Sequence, residues 1–465
     1  MKKSKFLMLA TAFTFMLTAC EKDNTPEIPS NSIYQDIEGV IGEGQTIEVT
    51  GKHLRIPEGK SLTLEAGATI IFSNEGVGSN KAPIEFTVDG NLYCLGTAEK
   101  PVMLTVAEEL RTEANTFAAL WGGIVAGRTC EEMVIDHTVI EYTGGSVIVG
   151  SPAASNGYYE AGGDEYPQIT TNNPEGRYII TNSIIRNGLS DGIYMQGGEA
   201  IIADNIFRAN GETGGEAVNI KSGCRVDVAR NVMYSPNTNG LKLSSSDQSD
   251  VRYQAEICAY NNTIIGAGWR REDEKGGGIY VEENANAKVF NNLMVNCKFL
   301  AMTPAWNEGG EDCYDRDNSV IDYNFYASGT VASSIFYEGP YEDDGEMFEY
   351  SGVKIPYEGY AYAHAEYDTE KADLHSIIAK DAEKAEELDP MFAAYNLDVD
   401  PSKLLWNKTE VSDFYLQSGS PALSDACPAS QYTPYFASDG IRIEGTGKTY
   451  TSPAVTAQFG ALGTK

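Results

Sequence analysis

Between Gln45 and Phe72 the chain repeats itself every eight residues. The text runs QTIEVTG, KHLRIPEG, KSLTLEAG, ATIIF, with Gly51, Gly59 and Gly67 eight apart. Between the glycines, Ile47 and Val49, Leu54 and Ile56, Leu62 and Leu64, then Ile70 and Phe72 alternate with polar residues. Alternation of period two gives each short strand one buried side, and glycine supplies the bends between strands. A sandwich of hairpins would satisfy the same alternation. Hairpin dipeptides such as Asn-Gly are scarce in this stretch, however, and a longer period appears further along.

Asparagine carries that longer period. Asn182, Asn205, Asn231, Asn262 and Asn292 each stand two residues before an apolar side chain, at steps of 23, 26, 31 and 30 residues. Three eight-residue sides make roughly 24 residues, so each repeat reads as one three-sided coil with loops of varying length. Stacked coils bury a continuous core and pair their backbones at about 4.8 Å. Asparagine at a turn tolerates left-handed backbone and hydrogen-bonds its counterpart one coil away, which makes this row structural. The alternation continues through Ile84, Phe86 and Val88, then Val102, Leu104 and Val106. The fold expected is all-β: a right-handed parallel β-helix, a three-sided solenoid with long loop insertions. One short helix is expected over 369–388, where Leu374, Ile378, Ala385 and Leu388 follow the cap Asp368-Thr369 and precede Pro390.

The runs SLTLEAGATI, GTAEKPVMLT and WGGIV resemble the entry of right-handed parallel β-helix lipoproteins of Bacteroidetes, within the pectin-lyase-like superfamily. Asp389-Pro-Met-Phe392 and the stretch from Asp413 to Ala426 resemble the closing segment of that architecture. The resemblance implies a fold strongly and a chemistry hardly at all, because one scaffold hosts lyases, hydrolases and adhesins. Lyases of this kind use a Lys or Arg base with calcium held by acids. Hydrolases use Asn-Thr-Asp, Asp-Asp, His-Gly and Arg-Ile-Lys motifs; three of these are absent from the sequence, and Asp-Asp occurs once, at Asp343-Asp344, without the others.

The first twenty residues set an address. Lys2, Lys3 and Lys5 precede an apolar run from Phe6 to Leu17, too short to span a bilayer as a permanent helix, then Leu17-Thr-Ala-Cys20. This reads as a signal peptide over 1–19 and resembles a bacterial lipobox with Cys20 acylated. A polar tether over 20–33 follows, then one domain over 34–465. Its insertions fall near 143–177, 266–278, 298–318 and 326–388. Acids directly after the cysteine resemble a surface-export signal, so the expected location is the outer membrane, lipid-anchored and facing outward. A net charge of −33 argues against nucleic acid as a partner. Seven further cysteines without CxxC spacing read neither as a disulfide framework nor as a zinc site.

Function on such a scaffold is expected in the excursions. Tyr158, Tyr159, Trp269, Trp306 and Tyr314 stand beside carboxylates in the first three insertions and are candidate platforms for a polysaccharide. The competing reading packs these rings against the coil flank. Arg186 and Arg208 fall in consecutive coils, near Arg230, as candidate ligand contacts; pairing with Asp191, Asp204 and Asp227 is the alternative. Asp312, Asp315 and Asp317 are the candidate ligands for calcium, the one cofactor considered, although the spacing lacks the glycine and distal glutamate of an EF-hand. His137, in Asp136-His-Thr-Val139, is read as a rung of the asparagine row rather than a base. The function expected is non-catalytic carbohydrate binding at the cell surface, with a divergent polysaccharide lyase or glycoside hydrolase as the alternative.

Overall fold

The computed structural model describes residues 32–465 apart from 213, 272–275, 299, 305–312, 328–340, 344–345, 349–371, 379–387, 398–399, 401–402 and 405–413. The alternating segments become strands, and every coil gives one strand to each of three sheets. Tyr34–Asp36, Gly39–Ile41 and Thr46–Val49 form the first coil; His53–Ile56, Ser61–Leu64 and Thr69–Phe72 form the second. Among the described residues the first two sheets hold ten strands each and the third eleven, each strand pairing with the one three places on. The pairing within these sheets is parallel throughout, and the architecture is a right-handed parallel β-helix.

Winding in register stacks like on like. Ile135, Ile180, Ile202, Val228, Ala259 and Val289 form one inward row of the second sheet across six coils. All six are fully buried. Such a row is built of identical contacts, so a slip of one residue would turn every member outward. Near the N-terminal end of the core, Trp121 stacks on Phe72 with ring centroids 4.0 Å apart. Its indole N–H donates to the Glu141 carbonyl, so the large ring is buried without an orphaned donor.

The asparagine row is a ladder of side-chain amides at the corner between the second and third sheets. The Oδ1 of Asn231 accepts from the backbone N–H and the amide of Asn205, both at 3.0 Å. Asn262 serves Asn231, Asn292 serves Asn262, and Asn324 serves Asn292 in the same way. Each amide also donates to a backbone carbonyl of the preceding coil, as Asn262 does to Val228 at 2.9 Å. The expected rung Asn182 is one residue out of step. It takes left-handed backbone at φ 53°, and Ser183 occupies the rung, its backbone N–H donating to Asn205 Oδ1. His137 is likewise displaced. It has φ 47° and holds Asp136 at 2.9 Å through Nδ1, while Thr138 is the rung and donates its N–H to Ser183 Oγ.

Apolar residues on the outer face of the second sheet, and of the later coils of the third, are covered by C-terminal residues. Residues 427–461 run back along the coils, and side chains from successive coils bond their backbone. Glu132 accepts the N–H groups of Glu444 and Gly445, at 2.7 and 3.0 Å. Asp227 accepts those of Tyr435 and Phe436 and the Ser452 hydroxyl. Asn291 accepts the Cys427 N–H at 2.7 Å. Asp227 therefore anchors the tail; it does not pair with an arginine.

The helix expected over 369–388 is not borne out where the chain is described. Ile377–Ile378 is a strand pairing with Phe325–Ala327, and Leu374 is 59% exposed. Coil stacking here overrides the local helical spacing; 379–387 lie outside the described residues. The short α-helix among the described residues is instead Pro152–Ser155, a single turn within the first insertion. Cys94, Cys130, Cys224, Cys258, Cys297, Cys313 and Cys427 are all free thiols.

Replacing a rung leaves buried donors and acceptors in two neighbouring coils without partners. Asn262→Ala is expected to lower unfolding free energy by about 3 kcal/mol, measured by urea denaturation. A loss within the scatter of surface substitutions would show the ladder to be incidental.

Candidate functional site

The first sheet is where polar groups gather. In its strands Ile193–Met195, Val218–Ile220, Leu241–Ser244 and Gly277–Glu282, aliphatic residues face the core. Between them Tyr194, Asn219, Lys242 and Tyr280 stand in register and point outward. Beside this row lie Asp191 and Glu216 on one side, Lys221 and Glu282 on the other. Four successive coils thus present two tyrosines, two lysines, three carboxyl groups and an amide on one flank.

The carboxyls of Asp191 and Glu216 are neighbours in adjacent coils, both nearly buried and joined by a side-chain hydrogen bond. Asp191 Oδ1 accepts the Glu216 N–H at 2.8 Å and Oδ2 accepts the Asn219 amide at 3.0 Å. Glu216 accepts from Asn239 at 3.2 Å. Burial, and then the Glu216 carboxyl, holds the Asp191 proton well above the usual carboxylate range. Two charges side by side in a poor dielectric are costly, so the nearby Glu216 adds to burial in favouring the protonated form of Asp191.

Lys221 is only 8% exposed, and its ammonium makes no hydrogen bond or ion pair among the described residues. It sits 5.9 Å from the centre of the Tyr194 ring. Burial, and then the nearby Lys242, pulls its pKa below the ordinary lysine value. Lys242 is the contrasting case. Burial acts against its charge, but Glu282 at 3.0 Å outweighs burial and raises its pKa. The flank therefore holds a carboxyl group, Asp191, disposed to keep its proton and an amine, Lys221, disposed to lose one, a combination common where acid–base chemistry is done.

A loop from the first insertion forms one wall. Tyr159 bonds Thr170 at 2.6 Å and meets Tyr194 edge-on at 6.3 Å. The loop is seated by a buried carboxyl, Glu85, which accepts from Tyr166 Oη at 2.7 Å, the Ala153 N–H at 2.8 Å and Thr87 Oγ1 at 2.6 Å. Burial pushes Glu85 up to about 7 despite these three donors.

The residues singled out by sequence scatter. Tyr158, next to Tyr159, faces a separate polar cleft and stacks with Arg128 at 4.7 Å. Trp269 is partly buried and donates to the Asn296 carbonyl. Tyr314 is buried in the core rather than displayed. Arg186 and Arg208 are in register, as expected. Arg186 pairs with buried Glu141 at 2.8 Å, whereas Arg208 is fully buried and donates to Asn187 at 2.7 Å, out of reach of an external ligand. Of their expected carboxylate partners, Asp204 pairs with Arg230 at 2.8 Å. Asp315 accepts from Gln254 and Asn318, tying down a turn. Asp317 is exposed, and no group of three metal-ligating side chains occurs among the described residues. Cys20, Trp306 and Asp312 lie outside the described residues.

A usable signal for the flank was present in the sequence. Gly192-Ile-Tyr-Met-Gln, Ala217-Val-Asn-Ile-Lys, Gly240-Leu-Lys-Leu-Ser and Gly278-Ile-Tyr-Val-Glu are the same five-residue side of the coil, with polar groups at its third and fifth places.

A family model described as "Right handed beta helix region" matches residues 169–329, which include the whole flank. Neither a curated protein nor a solved structure gives a significant match.

The seat of the loop carries a pH signature. Glu85 titrates near 7 when folded and has an ordinary value of 4.5. Between these values the folded chain keeps a proton that the unfolded chain has lost. The contribution of this group is full below 4.5 and falls by roughly 3 kcal/mol as pH rises to 7. Glu85→Gln is expected to raise Tm at pH 8 relative to the parent and to narrow the difference at pH 4.5. Thermal melts giving the same offset at both pH values would exclude this assignment.

Proposed function

We propose that this chain is a lipid-anchored protein of the outer-membrane surface that binds an extracellular polysaccharide along the outward flank of its first sheet. The observation that carries the reading is the row Tyr194, Asn219, Lys242 and Tyr280, repeated at coil spacing on a rigid sheet. A sugar offers an apolar face and a rim of hydroxyl groups. Tyrosine rings take the face, while amide, ammonium and carboxyl groups exchange hydrogen bonds with the rim. A repeating polymer is well matched by a repeating surface. The lipobox at Cys20 supports the location: two or more acyl chains hold a protein stably at a membrane. The net charge of −33 keeps nucleic acid out of consideration. Tyr194→Ala and Tyr280→Ala are each expected to weaken polysaccharide binding by about tenfold, the equivalent of one aromatic contact, in titration calorimetry. Failure of the parent chain to bind any member of a broad host and dietary polysaccharide panel would remove the proposal.

A second reading, cleavage, is favoured by one specific observation: a buried amine, Lys221, and a buried carboxyl group disposed to keep its proton, Asp191, lie on the same flank of the first sheet. On a uronate-containing chain, Lys221 would take the proton α to the carboxylate as the carbon–oxygen bond at the β position breaks. Asp191 would give its proton to the departing oxygen. A new carbon–carbon double bond and a new hydroxyl end balance the step, and calcium is an optional charge partner for the uronate. Lys221→Met is expected to abolish the ultraviolet absorbance of unsaturated uronide products while retaining binding. A parent chain that yields no such product from uronate polysaccharides, with and without calcium, leaves binding alone.

A further inference from the structure

Away from the flank, a polar cleft lies against the first insertion. It encloses about 480 Å³ and is lined by Arg55, Asp89, Arg128, Thr129, Asn156 and Tyr158, among others. A recess of about 260 Å³ adjoins it and shares Glu58, Arg128 and Thr129. The recess adds Asn91, Glu131 and Asn173 to its walls. Both arginines present flat guanidinium groups backed by rings: Arg55 on Tyr34 at 4.2 Å and Arg128 on Tyr158 at 4.7 Å. Asp89 is half-buried, and burial raises its pKa. Planar cations, amides, a hydroxyl and carboxyl groups around one cleft make a hydroxyl-rich ligand the best chemical match.

The cleft is joined to the flank by the winding itself. Val88, Ala126, Thr171, Met195, Ile220, Leu243 and Val281 form one inward row. The residue after each is Asp89, Gly127, Asn172, Gln196, Lys221, Ser244 and Glu282. This second row begins in the cleft and ends on the flank, polar at nearly every coil. Its middle is knitted together, since Gln196 donates to Asn172 and Asn172 donates to the Ala126 carbonyl. The loop that bears Tyr158 and Tyr159 sits over the sheet between the two sites. It covers Val125 and bonds Thr170, while Asn172 and Gln196 of the edge row stay partly exposed between the two sites. Adjacent tyrosines of one loop thus serve two different places: Tyr158 the cleft and Tyr159 the flank.

Resting on the binding reading above, we propose that the cleft around Arg128, Asp89 and Tyr158 is a second saccharide-binding site, and that one polysaccharide chain occupies both it and the flank by running along the edge row. The two sites lie on the same rigid sheet, so occupancy of one raises the local concentration of the chain at the other. Length of the ligand, rather than its end groups, then sets affinity. Each site alone is weak.

The test uses the full chain and the polysaccharide that binds it best among arabinoxylan, galactomannan and mixed-linkage glucan, together with the trisaccharide of the same polymer. The polymer is expected to bind at least about tenfold more tightly per chain than the trisaccharide. In Arg128→Gln, and separately in the near-isosteric Asp89→Asn, that advantage is expected to fall to about twofold or less. Thermal melts matching the parent would establish that both variants fold. Equal affinity for polymer and trisaccharide in the parent, or an undiminished advantage in both folded variants, overturns the second site while leaving the flank reading intact. No binding of any saccharide by the parent overturns both.

Discussion

Everything in this molecule depends on coils pairing with coils in parallel and in register. The backbone of each winding finds its hydrogen-bond partners one coil above and one below, so no strand is complete by itself. The ladder from Ser183 to Asn324 makes that register specific: Asn205 Oδ1 accepts the Ser183 N–H, and the Oδ1 atoms of Asn231, Asn262, Asn292 and Asn324 each accept both a backbone and a side-chain N–H of the coil before. Aliphatic rows alone would tolerate sliding by a coil side. A buried amide without its neighbour would not.

The same register creates the candidate site. A solenoid converts a position within the repeat into a line on the surface, so Tyr194, Asn219, Lys242 and Tyr280 meet although 86 residues separate the first from the last. Their chemistry follows from half-burial. Burial, with Glu216 beside it, raises the pKa of Asp191, and burial, with Lys242 nearby, lowers that of Lys221. Outside such a flank both residues would be ordinary surface charges. The first sheet differs from the other two in what lies over it. C-terminal residues, bound through Glu132, Asp227 and Asn291, lie over the second sheet and the later coils of the third.

Particular residues mark how far sequence reading reached. Gly51, Gly59 and Gly67 and the strands between them were legible because period two and a regular break have few other solutions. Asn205, Asn231, Asn262 and Asn292 were legible as a row. Asn182 and His137 were assigned one residue early, since a left-handed residue and a rung are neighbours and both favour the same side chains. The stretch around Ile377 carries helical spacing and forms a strand, as the third sheet above it offers pairing that an isolated turn of helix cannot match. The expected sugar platforms scattered because a ring beside an acid looks alike whether it faces solvent, as at the Tyr158 cleft, or the core, as with Tyr314.

The winding, the number of sides and the identity of the inward rows were determined by sequence alone, because hydrophobic alternation and repeat length are local properties. Which outward faces stay open was decided only by tertiary structure. That outcome depends on where residues far along the chain return to pack, and on which polar side chains reach their backbone. Asp191 and Glu216 illustrate the division. Each is an unremarkable acid in the sequence, and only the stacking of one coil on the next buries them side by side, which raises the pKa of Asp191.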